Sequence, residues 1–321
     1  MDKFWNEYPV IKNDLNSIVD IMKKNTKCKD KVMQKSIHEL IDSGGKLLRP
    51  AFVLMSSRFG NYNEEKSHAL AAVVEMIHMA TLVHDDIIDD SKLRRGQETI
   101  QSKYGKDYAV YIGDFLFCVC FKILASNSSL TSIKIDSKSM SRICLGEVEQ
   151  LNSRFVQNIS LKRYLNRISA KTAELFSLSL YSGAAESECS EKLCRIFWNI
   201  GHNIGMAFQI IDDILDYTGD DFSIGKSATN DIKQGIYTLP VIYALEENRN
   251  ILSPILSKNE YKDEDVHNII KLVNQYGGVE KSKRLAQRYT DKAFGLIDKL
   301  PENDYKDILK QITQKLLHRN Y

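Results

Sequence analysis

Apolar residues recur at three- and four-residue intervals along most of the 321 positions, the period of a helix with one buried face. Residues 1–42 read as two amphipathic helices with Lys and Asp on their outer sides. Residues 64–91 form one helix of about 28 residues, roughly 42 Å at 1.5 Å per residue. Further apolar helical stretches cover 105–126, 139–157 and 161–183, and another leads into Asp212. From Leu239 to Tyr321 amphipathic helices return, with a break near Ser253–Pro254 and a loop near 299–304. No strand-period alternation bounded by Asn-Gly or Asp-Gly turns stands out. The fold class is therefore all-α. It is expected as one large helical bundle around a central cavity, because no shift of composition marks a second domain within 1–321.

Composition sharpens this picture. Glycine and proline number only 16 and 5, about half their usual combined share of roughly 12%. So little turn chemistry favours long helices with short connections. With 43% hydrophobic residues the chain buries a substantial core. The 44 basic and 42 acidic side chains leave a net charge of +2, which calls for neither nucleic acid nor an anionic membrane as partner. The N-terminus MDKFWNEYPV lacks the basic region and apolar core of a signal peptide, and no apolar run long enough to cross a membrane is expected. Six cysteines without zinc-ligand spacing read as reduced thiols of a cytoplasmic protein.

Chemistry concentrates at Glu75–Gly96, EMIHMATLVHDDIIDDSKLRRG. Asp85 and Asp89 are four residues apart, so on a helix they stand one above the other with Asp86 beside them. Carboxylates so close repel one another, and a hard divalent cation such as Mg2+, which also favours phosphate oxygens, relieves that repulsion. Arg94 and Arg95 follow, and guanidinium matches phosphate geometry. Acid for metal beside base for phosphate describes a metal–diphosphate site. The pattern occurs twice: in GMAFQIIDDILDYT, Asp212, Asp213 and Asp216 repeat the DDxxD spacing, too distant in sequence to share the first helix. Two helices bringing these faces together across a bundle would place acid on opposing walls of a cavity.

Other segments gain meaning from this one. In SGGKLLRP, Lys46 and Arg49 flank a helix N-terminus that favours anions, though an ordinary helix–helix turn with exposed bases reads equally well. His78 lies on nearly the same face as Asp85; a core histidine is the plainer reading. Gly146–Gln150 places Glu147 and Glu149 within an apolar segment, either solvated or supporting the metal cavity. Lys171 and Thr172 lie mid-helix among small and apolar residues, and a buried lysine needs a partner. GDDFSIGKSATNDIKQG carries Lys226 and Lys233, and either is solvated charge or a flap closing over phosphate. Ala80 and Thr81 are small and would leave room beneath the first acidic cluster.

GGKLLRP, HDDIIDDSKLRRG, the Lys171–Thr172 pair, FQIIDDILD and GKSATNDIKQG resemble, in order and over nearly the whole chain, the trans-isoprenyl diphosphate synthases. LVHDDIIDD, CLGEVEQ, QIIDDILD and TLPVIYAL resemble their long-chain members, the heptaprenyl diphosphate synthase catalytic component in particular. The resemblance implies an isoprenoid-synthase bundle and Mg2+-dependent extension of an allylic diphosphate, farnesyl diphosphate above all, with isopentenyl diphosphate. Asp85, Asp86, Asp89, Asp212 and Asp213 would bind the metal, supported by Asp216. Arg94, Lys171 with Thr172, Gln209, Lys226 and Lys233 would contact the allylic diphosphate. Lys46, Arg49, His78 and Arg95 would hold isopentenyl diphosphate.

In that family a bulky aromatic four or five residues before the first DDxxD ends growth early. Ala80 and Thr81 therefore imply an all-trans product of about seven or eight isoprene units, a quinone side chain. The chain departs from the family pattern at Leu47, where a base is common, and at Ser227, where proline often follows the flap lysine. A homodimer or a heteromer with a small regulatory subunit is implied, with at most peripheral membrane contact for product release. The alternatives are a short-chain farnesyl or geranylgeranyl synthase, a subunit active only with a partner, and a class I terpene cyclase.

Overall fold

The structure, a computed structural model, describes residues 2–218, 231–258 and 261–317. Among these residues fifteen α-helices account for nearly all regular structure, as the helical period requires. The exceptions are a 3-10 turn at Lys3–Glu7, a π-helical turn at Ser169–Ala173 and a two-stranded ribbon pairing Leu93–Arg94 with Gln97–Glu98. The chain divides into two compact units. The first holds residues 1–137, 178–197 and 301–308; the second holds 138–177, 198–300 and 309–321.

The first unit is built on α1 (Pro9–Asn25), α2 (Lys31–Asp42), α3 (Leu48–Ser57) and α4 (Glu64–Ile88), followed by α5 (Ile100–Tyr104) and α6 (Lys106–Asn127). Asn63 caps α4, its side chain accepting from the Lys66 amide at 2.9 Å, and Glu64 and Glu65 in the first turn suit the helix dipole. Helix α4 is buried on every side from Ala69 to Ile77, and it packs against α1, α3 and, most extensively, α6. Helix α6 also corrects the membrane expectation. It is long and apolar enough to cross a bilayer by length and composition, while one face of it serves as core against α4.

The second unit takes its share of α7 (Leu130–Asn152), α9 (Glu174–Glu186) and α10 (Glu191–Leu215), with α8 (Leu161–Ile168) between the first two. The 161–183 region, expected as one helix, is interrupted where α8 passes through the π turn into α9. Tertiary bonds hold that turn: Arg142 donates to Ser169 Oγ and pairs with Glu174, each at 2.8 Å. Ser139 Oγ donates to the other Glu174 oxygen at 2.9 Å. Helix α10 passes close beside this segment because Gly201 and Gly205 have no side chain. A Cβ at Gly205 would lie 2.5 Å from Ala173 Cα, and one at Gly201 would lie 2.4 Å from the Phe176 carbonyl oxygen.

Helices α11 (Leu239–Glu247), α12 (Arg249–Leu256), α13 (Asp263–Gln275) and α14 (Gly278–Ile297) complete this unit with part of α15 (Asp304–Leu317). The break expected at Ser253–Pro254 falls instead at Asn248, and Pro254 lies inside α12, where the short helix tolerates one lost amide donor. The loop near 299–304 stands where the sequence places it, between α14 and α15.

Candidate functional site

In the first unit, Asp85 and Asp86 occupy the last turn of α4, and Asp89 caps its end, its amide donating to the Asp85 carbonyl at 2.9 Å. The chain then turns back. Asp90 adopts φ 49°, and the ribbon reverses at Arg95 and Gly96, both at positive φ (51° and 78°), as a two-residue primed turn demands. This hairpin, absent from the helical reading of the sequence, aims Arg94 back at α4. Its Nε and Nη2 contact Asp86 Oδ1 at 2.9 and 2.8 Å. Burial pushes the Asp86 carboxyl up, and Arg94 opposes that rise. The metal-ligand and diphosphate-ligand candidates Asp86 and Arg94 are therefore each other's partners in this state.

Behind that pair lies a cavity of about 80 Å³. Glu75, His78 and Asp86 of α4 line it, with Gly45 of the loop before α3 and with Arg94 and Arg95 of the hairpin. His78 is held well below the usual imidazole pKa by burial and then by Arg49, Arg95 and Arg94, so it is neutral at physiological pH. Burial raises the Glu75 carboxyl, against the pull of Arg49 and Arg95. Two guanidinium groups, Arg94 and Arg95, thus line one small cavity beside a neutral imidazole and the carboxylates of Glu75 and Asp86, while the charge of Arg49 acts on His78 and Glu75 there. Sequence reasoning missed Glu75; its signal was a lone acid inside AAVVEMIHMA, three residues before His78. Lys46 sits at the exposed edge of the same loop. Ala80 is fully buried, and half-buried Thr81 donates to the His78 carbonyl at 2.8 Å.

In the second unit, the end of α10 presents half-buried Asp212 and Asp216 on either side of buried Asp213. Both oxygens of Asp213 accept protein donors, Tyr164 Oη at 2.6 Å and Gln209 Nε2 at 2.9 Å. Thr172 Oγ1 donates to Gln209 Oε1 at 2.7 Å, so the amide of Gln209 has one orientation that satisfies both neighbours. Burial pushes the Asp213 carboxyl up to about 6 while those bonds and Arg167 oppose it. Lys171, on the π turn, meets Glu147 at 2.7 Å, which supplies the partner that its burial requires. Thr172, Gln209 and Asp213, chosen separately from the sequence, form one chain of hydrogen bonds, to which Tyr164 is an unforeseen addition. Lys233 stays apart, exposed and paired with Asp263 at 2.8 Å. Lys226 lies outside the described residues.

The donor sets fit a hard ion that arrives with its ligand. Among the described residues no three carboxylates, imidazoles or thiols gather to enclose a metal by themselves. Mg2+ seldom needs such a cage, because one or two carboxylates suffice when phosphate and water complete its shell. Asp85 with Asp89, and Asp212 with Asp216, supply oxygens of that kind.

Known proteins resemble the chain over nearly its whole length. The model of the family described as polyprenyl synthetase matches residues 30–273. Heptaprenyl diphosphate synthase component 2 of Geobacillus stearothermophilus is 36% identical over 98% of both chains. A geranylgeranyl pyrophosphate synthase structure from Lactobacillus brevis superposes with a TM-score of 0.95 at 38% identity, over 99% of both chains. A polyprenyl synthase from Caulobacter crescentus, solved with calcium and isoprenyl diphosphate, gives 0.90 at 30% identity, over 98% of this chain and 97% of that one.

Proposed function

The chain belongs to the polyprenyl synthetase family and is a trans-prenyltransferase, and from that premise we propose that it makes a long-chain all-trans polyprenyl diphosphate. Its substrates are isopentenyl diphosphate and an allylic diphosphate such as farnesyl diphosphate, its ion Mg2+ and its product about seven or eight isoprene units, destined for a quinone. The observation that carries the reading is the cavity of α4 that Arg94 and Arg95 line beside neutral His78, with the charge of Arg49 acting on it, which supports binding of the diphosphate of the five-carbon substrate.

The chemistry needs a leaving diphosphate, a shielded allylic cation and an attacking double bond. A divalent ion, when bound, supplies charge against the leaving group. In the first unit Asp85 and Asp89, and in the second Asp212 and Asp216, would offer carboxylate oxygens to such an ion, while Asp86 and Asp213, engaged with Arg94 and Tyr164, brace each cluster. Positive charge near each acidic cluster, Arg94 in the first unit and Lys171 in the second, would stabilise a departing diphosphate electrostatically. Arg49, His78 and Arg95 hold the second substrate for attack. The proton lost in each extension passes to the released diphosphate, so no protein nucleophile is required.

The L. brevis likeness favours a second reading, a shorter geranylgeranyl product from the same site. Buried Ala80 and half-buried Thr81, both small, favour the longer one. The name "component 2" of the Geobacillus relative supports a partner subunit or a second copy, and so do exposed Tyr111 and Phe121 on α6. Six free thiols support the cytoplasm as its compartment.

Incubating the purified chain with Mg2+, isopentenyl diphosphate and farnesyl diphosphate, then sizing the dephosphorylated products, tests the proposal. A ladder ending near heptaprenyl or octaprenyl supports it. Geranylgeraniol alone supports the second reading, and product only after adding a partner makes the enzyme heteromeric. A cyclised hydrocarbon, or no product under any of these conditions, overturns it.

A further inference from the structure

The loop Ser43–Leu47 carries Lys46 and is held by residues with no place in the scheme above. Leu47, the N-cap of α3, adopts φ 49°, a left-handed conformation costly for a side chain of its kind, and no side chain caps the helix there. Something must fix this backbone. Trp5, fully buried, donates its indole Nε1–H to the Lys46 carbonyl oxygen at 2.6 Å. The ring of Phe4 lies 5.6 Å from Lys46 Nζ, within reach of a cation–π interaction. Trp5 is itself locked edge-on against Phe4 and Tyr8, with centroids 5.0 and 6.2 Å away. Asp2 caps the 3-10 turn that carries both aromatics, accepting from the Phe4 amide at 2.8 Å. Beside the same loop, the Arg95 guanidinium packs closely over Gly45, where a Cβ would lie 3.0 Å from its nitrogens and make it give way by a few tenths of an ångström.

We propose that the N-terminal turn Lys3–Glu7 is a clasp on the diphosphate-binding loop, in which Trp5 fixes the Lys46 backbone and Phe4 holds its ammonium until substrate phosphate takes it. Trp5 and Phe4 are then positioning residues for isopentenyl diphosphate, an inference that rests on Lys46, Arg49, His78 and Arg95 binding that substrate. The physical gain is preorganisation: a loop ordered beforehand does not draw its ordering cost from the binding energy. A diphosphate outcompetes an aromatic ring for an ammonium group, so Lys46 leaves Phe4 on binding and the surroundings of Trp5 change.

Trp5→Phe keeps the aromatic packing and removes the single donor. It should raise KM for isopentenyl diphosphate about five-fold, the worth of one hydrogen bond, with kcat and the allylic KM within about two-fold of wild type. Phe4→Leu, at a half-buried position that spares the core, removes a partner that Lys46 must leave on binding, so it should lower the same KM by about two-fold. In a Trp198→Phe background Trp5 is the sole indole, and its emission should change on titration with isopentenyl diphosphate alone. An unchanged KM for isopentenyl diphosphate, both KM values rising together, or an emission indifferent to that ligand would overturn the clasp. A wild-type chain without prenyl transfer would overturn the functional reading instead, and the emission titration would still decide whether Trp5 senses a diphosphate on this loop.

Discussion

Replacing Tyr164 with phenylalanine removes one oxygen atom from the interior of the second unit. Tyr164 is 1% exposed, and its hydroxyl donates at 2.6 Å to Asp213, which is 5% exposed. Phenylalanine fills the same volume, so cavity formation contributes almost nothing, and the loss is that of one short bond to a buried carboxylate. Such bonds contribute about 2 kcal/mol each. The remaining donor, Gln209 at 2.9 Å, serves the other oxygen and does not substitute for it. Urea unfolding of wild type, Tyr164→Phe, Asp213→Leu and the double variant forms a cycle in which leucine approximates the shape of aspartate without its charge. A coupling energy of about 2 kcal/mol is expected, because once Asp213 is gone the phenol has nothing to donate to. Additivity within about 0.5 kcal/mol would show that the two side chains do not act on each other, and the account of Asp213 as a braced residue would fall.

Three further outcomes follow from particular side chains. Ala80→Phe and Thr81→Tyr should each shorten the product, and chromatography showing an unchanged ladder in both would show that these positions do not set its length. Lys171→Met should lower kcat by about 100-fold with little change in the isopentenyl diphosphate KM, as expected for charge that acts on the leaving group, and initial rates check it. Burial and the neighbouring Glu186 push Asp136 up to about 7 from 3.8, so the folded state holds a proton that the unfolded state has released. Stability should therefore fall by about 4 kcal/mol as pH rises from 4 to 7 and level off above, and Asp136→Asn, read by unfolding at each pH, should flatten that decline.

The helical plan was legible because its signals are local. The apolar run of α4, the amphipathic pair α1 and α2, and the two DDxxD spacings need only the period of the chain. What escaped depends on contacts between distant segments. The π turn at Lys171 exists because Arg142 grips Ser169 and Glu174 from α7, and no pattern within RISAKTAELF records that grip. The hairpin reverses on Arg95-Gly96 rather than Asn-Gly, so its turn carried a weak signature. From that hairpin follows the Asp86–Arg94 pair, which the sequence read as two independent ligands. Tyr164 and Trp5 each act through one polar atom on an otherwise apolar side chain, and in sequence they look like core.

On the proposed function these acidic clusters would hold a diphosphate through divalent metal. Titration calorimetry with an unreactive thio analogue of farnesyl diphosphate measures that directly. The analogue should bind in Mg2+, fail to bind in excess EDTA, and bind about 100-fold more weakly to Asp85→Asn and to Asp212→Asn. Binding that persists undiminished in EDTA, or that either variant retains at wild-type strength, would contradict the account.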